Sequence, residues 1–324
     1  MTVLKRTGLR VMACAAALLA FAGSSSANDW PNKSVSILVP TAAGGNTDLM
    51  ARLAAEHLNK KLGQPFVVQN KPSAGGVLTS REVGTADPDG YTVLFAPSSM
   101  ILLTPLVQAL PFDPDQLLVP VTNVGTGSQV VAVKRSLPVT TLTEFLAYAK
   151  ANPGKLNFAT AGVNNISHLG PVLLFKRAGV ELAMVATRGE PQAITDLMGG
   201  SMDFYFGNAS VLLNADMTKI RILAAGTPNR LAAAPEIPTI SETMPGFVFQ
   251  SWNGFFVPKA TPEEIQTKLR SAIAEMVSTP EMKKRLTELG IVPGGQSKEE
   301  VAAVFKKDRE SFAEAVNAAG IKKP

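Results

Sequence analysis

Short β-rich runs alternate with helical patterns along most of this chain, and this alternation limits the folds that it can adopt. In the first third of the chain, residues 34–39, 66–68 and 91–95 are predicted strands, and the segments between them carry helix signals. Three strands separated by helices form a βαβαβ unit, which implies a parallel sheet with helices on its faces. The pattern restarts near Gln129, so the sequence predicts a second α/β sheet of similar size.

The chain is expected to pass between the two sheets twice, near residues 125–129 and near residues 247–252. We therefore divide the predicted fold into lobe 1, residues 28–127 with 250–324, and lobe 2, residues 128–249. The C-terminal segment is mainly helical and too small to be a domain, so we expect it to pack on lobe 1. Two lobes joined by two crossings predict a ligand cleft between them.

The first 27 residues carry the pattern of an export signal. Residues 1–10 contain three basic residues and no acid, residues 11–23 are apolar but too short to span a bilayer, and residues 25–27 suit a cleavage site. This pattern predicts a cleavable signal peptide. Its Cys14 is the one cysteine of the sequence, so the exported part needs no disulfide, which is typical of a Gram-negative periplasm. The predicted location is therefore the periplasm.

Composition and motifs exclude several classes of function. The chain has 324 residues, 46% hydrophobic and 18% charged, which is typical of a soluble globular protein. Removing the three basic residues of the signal peptide lowers the net charge from +5 to +2, and no Lys/Arg-rich run is present, so nucleic acid is not an expected partner. The sequence has two histidines and lacks the motifs of serine hydrolases, zinc proteases and nucleotide-binding loops. We expect no metal site, no cofactor and no catalytic residues.

Loops rich in Gly, Ser, Thr and Asn follow the predicted strands in both lobes. In open parallel sheets such loops line a crevice at the carboxyl ends of the strands, and the free N–H groups at each helix start suit an anion. Glycine lets the backbone approach a ligand closely. Ordinary turn chemistry explains any one loop, but several such loops around one cleft predict an anion-binding site.

Several motifs lie at these loops. They are Trp30-Pro31, Val-Pro-Thr-Ala-Ala-Gly-Gly-Asn-Thr-Asp-Leu-Met-Ala-Arg at 39–52, Asn-Lys-Pro-Ser-Ala-Gly-Gly at 70–76, Pro-Asp-Gly-Tyr-Thr at 88–92, Thr-Ala-Gly-Val-Asn-Asn-Ile-Ser-His-Leu at 160–169, Arg-Gly-Glu-Pro-Gln-Ala at 188–193, Asp-Leu-Met-Gly-Gly at 196–200, and Ser-Trp-Asn-Gly at 251–254 with Pro258. In content and order they resemble the substrate-binding proteins of tripartite tricarboxylate transporters, also called Bug-type solute receptors. The sequence departs from the family pattern at Asn164-Asn165, where Gly-Ser is usual, and at Glu190, an added acid beside Arg188.

The resemblance implies an α/β fold similar to type II periplasmic binding proteins, with two lobes, the first completed by the C-terminal segment. It implies a receptor that holds a carboxylate between the glycine loops, partly through ordered water, and closes over it. The implied partners are a small organic carboxylate and the membrane permease subunits of a tripartite tricarboxylate transporter. We expect the receptor to be a monomer.

The predicted ligand-binding residues come from the loops of both lobes. They are Thr41, Ala42, Ala43, Gly44, Gly45, Asn46, Thr47, Asp48, Gly75, Gly76, Ser98 and Trp252 in lobe 1, and Thr160, Gly162, Asn164, Asn165, His168, Arg188, Gly189, Phe206 and Asn208 in lobe 2. Neutral donors from residues 42–47 and Ser98 are expected to hold one carboxylate. Arg188 is the predicted partner of a second carboxylate, unless it pairs with Glu190 or a surface acid.

Four of these residues have alternative interpretations. Asp48 is expected to orient the first loop, since it would repel an anionic ligand. His168 either contacts the ligand or bonds to backbone at a helix start. Phe206 and Trp252 could each stack on an aromatic ligand. For Trp252, a place in the core near the hinge is an equally good interpretation.

The sequence does not select one carboxylate. A dicarboxylate such as terephthalate, a tricarboxylate such as citrate and a monocarboxylate such as nicotinate all suit the predicted loops. A receptor that delivers its ligand to a transporter is the favoured function. A protein that presents the ligand to a sensor kinase, and an exported enzyme on the same fold, are the alternatives.

Overall fold

The computed structural model describes residues 29–41 and 43–322 of the chain. The predicted signal peptide, residues 1–27, and the predicted ligand contact Ala42 lie outside the described residues, so both stay predictions. Within the described ranges, no helix combines the length and the apolar character that crossing a membrane requires.

Lobe 1 is built on a six-stranded sheet in the order β2-β1-β3-β10-β4-β11. Its strands are β1 (Val35–Val39), β2 (Phe66–Asn70), β3 (Thr92–Pro97), β4 (Leu118–Gly127), β10 (Ser251–Pro258) and β11 (Ile291–Pro293). Strand β1 pairs in parallel with β2 and β3, whereas β10 is antiparallel to both β3 and β4. The predicted parallel sheet is therefore mixed, because the strand that returns from lobe 2 inserts antiparallel into its middle.

Lobe 2 is built on a five-stranded sheet in the order β7-β6-β8-β5-β9. Its strands are β5 (Gln129–Lys134), β6 (Asn157–Thr160), β7 (Ala183–Ala186), β8 (Phe204–Asn208) and β9 (Ile220–Ala225). Strand β6 is parallel to β7 and β8, and β5 is antiparallel to β8 and β9. Both sheets thus combine a parallel part with an antiparallel strand that starts at a crossing between the lobes, β10 in lobe 1 and β5 in lobe 2. The short β11 at the edge of the lobe 1 sheet is also antiparallel to its neighbour β4.

Helices cover the faces of both sheets. They are α1 (Asn46–Leu62), α2 (Val77–Gly84), α3 (Ser98–Leu102), α4 (Thr104–Val107), α5 (Pro114–Leu117), α6 (Leu142–Ala151), α7 (Ile166–Ala178), α8 (Glu190–Met198), α9 (Ala209–Leu212), α10 (Ile240–Thr243), α11 (Glu263–Ser278), α12 (Pro280–Glu288) and α13 (Lys298–Ala318). Their ends follow local chemistry: Gly63 closes α1 with φ of 71°, and capping boxes start α6 at Thr141 and α13 at Ser297.

The last helix, α13, packs on both lobes, and this differs from the expectation that the C-terminal segment belongs to lobe 1. Near its start, Val301 is buried in a cluster with Phe256 of lobe 1. Near its end, Phe312 packs edge-on against Phe249, at 5.3 Å between ring centroids, within the core of lobe 2. The chain therefore ties the lobes together a third time. The sequence boundaries of the lobes stay a prediction.

Candidate functional site

A cavity of about 250 Å³ lies between the two lobes, where the strand-to-helix loops of both sheets meet. A cavity of this size suits a small ligand. Lobe 1 lines it with Asn46, Thr47, Met50, Pro97, Ser99, Gly127, Ser251 and Asn253, and lobe 2 lines it with Gln129, Ala161, Asn165, Ile166, Ser167, Glu190, Tyr205 and Asn208.

A second inter-lobe cavity, of about 190 Å³, lies beside the crossing segments. It is lined mainly by residues 227–233 of lobe 2 and residues 287–293 of lobe 1. We place the candidate site in the first cavity, because there the polar groups of helix starts and strand ends converge, as expected for the crevice of an open α/β sheet.

The start of α1 supplies main-chain donors to the cavity. Its N-cap, Gly45, has no side chain that accepts a hydrogen bond, so the first N–H groups of the helix, those of Asn46 and Thr47, are available to a ligand. The hydroxyl of Thr47 donates to Asn253 Oδ1 at 2.8 Å and joins α1 to β10. The free N–H groups and the helix dipole make this end of α1 attractive to an anion.

Asp48, in the first turn of α1, holds the loop that precedes this helix. It is buried, and its carboxylate accepts the Gly44 N–H at 2.9 Å, the Arg52 Nε at 3.0 Å and the Asn70 amide at 3.0 Å. Burial opposes ionisation, but the hydrogen bonds from Arg52, Gly44 and Asn70 outweigh it and lower the pKa of Asp48. Gly44 has φ of +87°, a left-handed conformation that favours glycine. These contacts fit the hypothesis that Asp48 orients the loop.

Three serines join the start of α3 to β10 beside the cavity. The Ser98 hydroxyl, which is wholly buried, lies 3.2 Å from the Ser251 hydroxyl and accepts the Trp252 N–H at 3.3 Å. The Ser251 hydroxyl also accepts the Ser99 N–H at 3.2 Å. Ser99 and Ser251 line the cavity, whereas Ser98, the predicted donor to the ligand, supports them from below.

In lobe 2, the loop from Thr160 to His168 is held by hydrogen bonds between its own residues. Asn165 caps α7, and its Oδ1 accepts the His168 N–H at 3.2 Å and the Ser167 hydroxyl at 2.8 Å. The imidazole of His168 accepts the Asn164 N–H through Nδ1 at 3.1 Å, and burial lowers the pKa of His168, which favours the neutral ring. Of the two interpretations, the contacts of His168 match the one in which it bonds to backbone.

Glu190 extends from the first turn of α8 into the cavity. Its Oε1 accepts the Asn208 N–H at 2.8 Å and the Tyr205 hydroxyl at 3.3 Å, and its Oε2 accepts the Asn208 amide at 2.6 Å. Burial and the nearby Glu190 carboxylate raise the pKa of Tyr205, so its hydroxyl stays protonated. Gln129 donates to Asn208 Oδ1 at 2.8 Å and holds the amide in the orientation that faces Glu190.

The structure brings four of the predicted ligand-binding residues onto the cavity wall: Asn46, Thr47, Asn165 and Asn208. The other described ones do not line it, and they are Thr41, Ala43, Gly44, Gly45, Asp48, Gly75, Gly76, Ser98, Thr160, Gly162, Asn164, His168, Arg188, Gly189, Phe206 and Trp252. Three of them hydrogen-bond to lining residues: Ser98 to Ser251, Thr160 to Ser167, and the His168 N–H to Asn165.

Five of these predictions need a physical correction. Phe206 and Trp252 are each 1% exposed. Phe206 packs against Phe249. Trp252 stacks on Phe256, and its indole N–H donates to Asp308 Oδ2 at 3.1 Å. Neither ring is available to stack on a ligand, and Trp252 has the core role that the sequence left open.

The remaining corrections concern Arg188 and the second glycine loop. Arg188, the predicted partner of a second carboxylate, is exposed outside the cavity. Glu190, its partner in the alternative interpretation, bonds to Asn208 and Tyr205 instead. Gly75 and Gly76 pack under α3 and α4, where a Cβ on Gly75 would lie 2.8 Å from Thr104. Packing, not ligand contact, accounts for glycine at position 75.

Sequence reasoning missed several polar residues of the cavity wall, among them Gln129, Ser251 and Asn253. All three lie at or near the first residue of an antiparallel strand, β5 or β10. Ligands of open α/β sheets are expected at the carboxyl ends of the parallel strands. An antiparallel strand brings its amino end to that same edge of the sheet, so its first residues also reach the cavity. The signal in the sequence was the pair of predicted crossings, which end at these positions.

Two α/β lobes with a polar, ligand-sized cavity between them are the arrangement expected of a solute-binding receptor. The family model described as "Tripartite tricarboxylate transporter family receptor" matches residues 50–319, and the chain belongs to this family. The family and the similar solved structures are solute-binding receptors, so the protein is a receptor and not an enzyme.

Individual relatives agree with this assignment over their full length. Protein BugT of Bordetella pertussis is 30% identical over 320 residues, 97% of this chain and 98% of BugT. A solved R. palustris protein with adipate is 29% identical with a TM-score of 0.78, covering 91% of this chain and 100% of its own. MatC of Rhodopseudomonas palustris with bound malate is 28% identical with a TM-score of 0.73, and the match covers 89% of this chain and 100% of MatC. The predicted family and the predicted fold class are confirmed.

Proposed function

We propose that this protein is a periplasmic receptor that binds a small organic carboxylate in the inter-lobe cavity and delivers it to the membrane permease subunits of a tripartite tricarboxylate transporter. The observation that carries the proposal is the uncapped start of α1 at the cavity wall. The N–H groups of Asn46 and Thr47 supply the donors that a carboxylate needs, and the helix dipole adds to their attraction.

The relatives support a carboxylate as the ligand. The two R. palustris proteins described above were solved with adipate and with malate, which are both small carboxylates. The pattern of an export signal in residues 1–27 supports the periplasmic location, and the family supports the transporter as the partner.

The cavity gives less support to a ligand with two carboxylates, such as terephthalate. That hypothesis rested on Arg188, which is exposed outside the cavity. No lysine, arginine or histidine is among the described residues of the cavity wall, so a second carboxylate has no cationic partner there. The proposed ligand class is therefore a small carboxylate, without the requirement for a second one.

A thermal-shift screen tests whether the protein binds carboxylates. Malate, adipate, citrate, nicotinate and terephthalate form a suitable panel. A ligand at 100 times its Kd stabilises the folded protein by about 2.7 kcal/mol, which raises the unfolding temperature. If no member of a broad carboxylate panel shifts the unfolding transition, the proposed ligand class is wrong.

A pair of variants tests whether the start of α1 is the binding position. Asn46 is the first residue of α1, where proline fits the helix, so Asn46→Pro removes the main-chain N–H without breaking the helix. Asn46→Ala is the matched control, because it removes the side chain and keeps the N–H. We expect Asn46→Pro to bind the best carboxylate about 10- to 150-fold more weakly than Asn46→Ala, the range for a hydrogen bond to a charged group. Equal affinities would contradict the proposed position.

Delivery to a permease needs its own test. Proteoliposomes that hold the membrane subunits of the transporter should accumulate the radiolabelled carboxylate only when the receptor is added outside. Uptake that is the same with and without the receptor would contradict the proposed delivery and leave the binding function intact.

A further inference from the structure

The charge of the cavity wall is unusual for a carboxylate site. Among the sixteen described residues that line it, Glu190 is the only acidic or basic side chain. Lobe 1 presents neutral hydroxyl and N–H donors, whereas lobe 2 presents this carboxylate. A ligand held at the start of α1 therefore faces a negative charge from the opposite lobe.

The position of this carboxylate is fixed by uncharged partners. Asn208 donates its N–H to Oε1 at 2.8 Å and its amide to Oε2 at 2.6 Å, and the Tyr205 hydroxyl donates at 3.3 Å. None of these partners is a cation, and within the described residues Glu190 forms no ion pair. A carboxylate accepts about four hydrogen bonds, so three protein donors leave one acceptor position.

The uncompensated charge and the open acceptor position lead to one ligand chemistry. We infer that the ligand is an amino-carboxylate, whose carboxylate binds at the start of α1 and whose protonated amine binds Glu190. The inference rests on the proposed function and narrows its ligand class. An ammonium group carries donors and no acceptor, so it complements Glu190, whereas a second carboxylate there is repelled.

Matched pairs of probes test the inference in the wild-type protein. 4-Aminobutyrate is compared with succinate, and 6-aminohexanoate with adipate, by calorimetry near neutral pH. Within a pair the two molecules differ mainly in the charged group at one end. We expect the amino-carboxylate of at least one pair to bind more tightly than its dicarboxylate, by about tenfold or more.

A variant assigns the difference to Glu190. Glu190→Gln keeps the size of the side chain and removes its charge. It should weaken binding of the amino-carboxylate by about 10- to 150-fold, and binding of the dicarboxylate should stay the same or become tighter. Glu236→Gln is the matched control, because Glu236 is an exposed glutamate of lobe 2 outside the cavity. It should leave both affinities unchanged.

The outcomes separate this inference from the proposed function. Dicarboxylates that bind wild-type protein as tightly as the amino-carboxylates, or more so, overturn the inference and leave the receptor function standing. Equal losses for both kinds of ligand in Glu190→Gln also overturn it. If no probe of either kind binds, and the wider carboxylate panel is silent too, the proposed function itself fails. The wild-type comparison keeps the inference testable if Glu190→Gln does not fold.

Discussion

The side-chain amide of Asn46, at the start of α1 in lobe 1, donates to the hydroxyl of Ser210, in α9 of lobe 2, at 3.3 Å. This hydrogen bond joins the lobes directly at the edge of the proposed binding cavity. It therefore connects the residue at the proposed carboxylate position to the opposite lobe, and it gives a means of testing closure.

We expect Ser210→Ala to weaken ligand binding modestly, by about 2- to 12-fold, because a hydrogen bond between neutral groups contributes about 0.5–1.5 kcal/mol. Ser210 is not among the residues that line the cavity, so the variant leaves the ligand contacts intact. Calorimetry gives the affinity, and thermal unfolding of the unliganded protein serves as the check on folding. Unchanged affinity would mean that the contact does not contribute to closure.

Closure itself predicts a change of shape. We expect a monomer whose radius of gyration falls when a saturating carboxylate is added, since the two lobes meet around the ligand. Small-angle scattering with and without ligand measures this change. A constant radius, or a dimer in both conditions, would contradict a monomer that closes.

Two glycines on either side of α1 provide a matched test of the first loop. Gly44 lies in the loop before the helix with φ of +87°, and Gly63 closes the helix with φ of +71°; in both cases an added Cβ meets no atom within 4 Å. Each substitution to alanine should cost about 1–2 kcal/mol of unfolding free energy, because the left-handed conformation is unfavourable for alanine. Gly44→Ala should also weaken ligand binding, whereas Gly63→Ala should not. The same affinity in both variants would contradict a binding role for the loop.

Asp48 should stabilise the protein only while it is ionised. Its folded pKa lies below the ordinary value of 3.8, so its contribution is present above about pH 3.8 and is lost as the pH falls through the folded pKa. We expect Asp48→Asn to lower the unfolding free energy by about 1.5–3 kcal/mol at pH 7. The difference from wild type should shrink in urea unfolding below pH 3.8. A difference that does not change with pH would show that charge is not the cause.

Asp308 should have the opposite dependence on pH. Burial raises its pKa to about 7 despite the hydrogen bond from Trp252, so the folded protein keeps a proton that the unfolded chain releases above pH 3.8. Stability should therefore fall between about pH 4 and pH 7, with a slope of up to about 1.4 kcal/mol per pH unit. Asp308→Asn should remove this slope. If the variant and wild type lose stability in parallel, Asp308 is not the group responsible.

The sequence predicted the helices and the two-lobed fold well, because these depend on local signals. Gly63 and the capping boxes at Thr141 and Ser297 mark helix ends by chemistry that acts within a few residues. The antiparallel pairing of β10 and the docking of Phe312 on lobe 2 depend on contacts between distant parts of the chain. No local pattern encodes them, and both were missed.

The site was predicted at the level of loops and less well at the level of side chains. Asn46, Thr47, Asn165 and Asn208 line the cavity, since they start or end elements at its edge, and their contact with a ligand stays a prediction. Whether a side chain next to them faces the cavity depends on packing. Ser98 turns into the core while Ser99 faces the cavity, and a sequence does not distinguish two adjacent serines.

A crystal structure with the carboxylate that gives the largest thermal shift is the most direct test of the proposed binding position. We expect its carboxylate to lie in the cavity between the lobes, within hydrogen-bond distance of the main-chain N–H groups of Asn46 and Thr47. A carboxylate bound elsewhere, for example in the cavity lined by residues 227–233 and 287–293, would contradict binding at the start of α1.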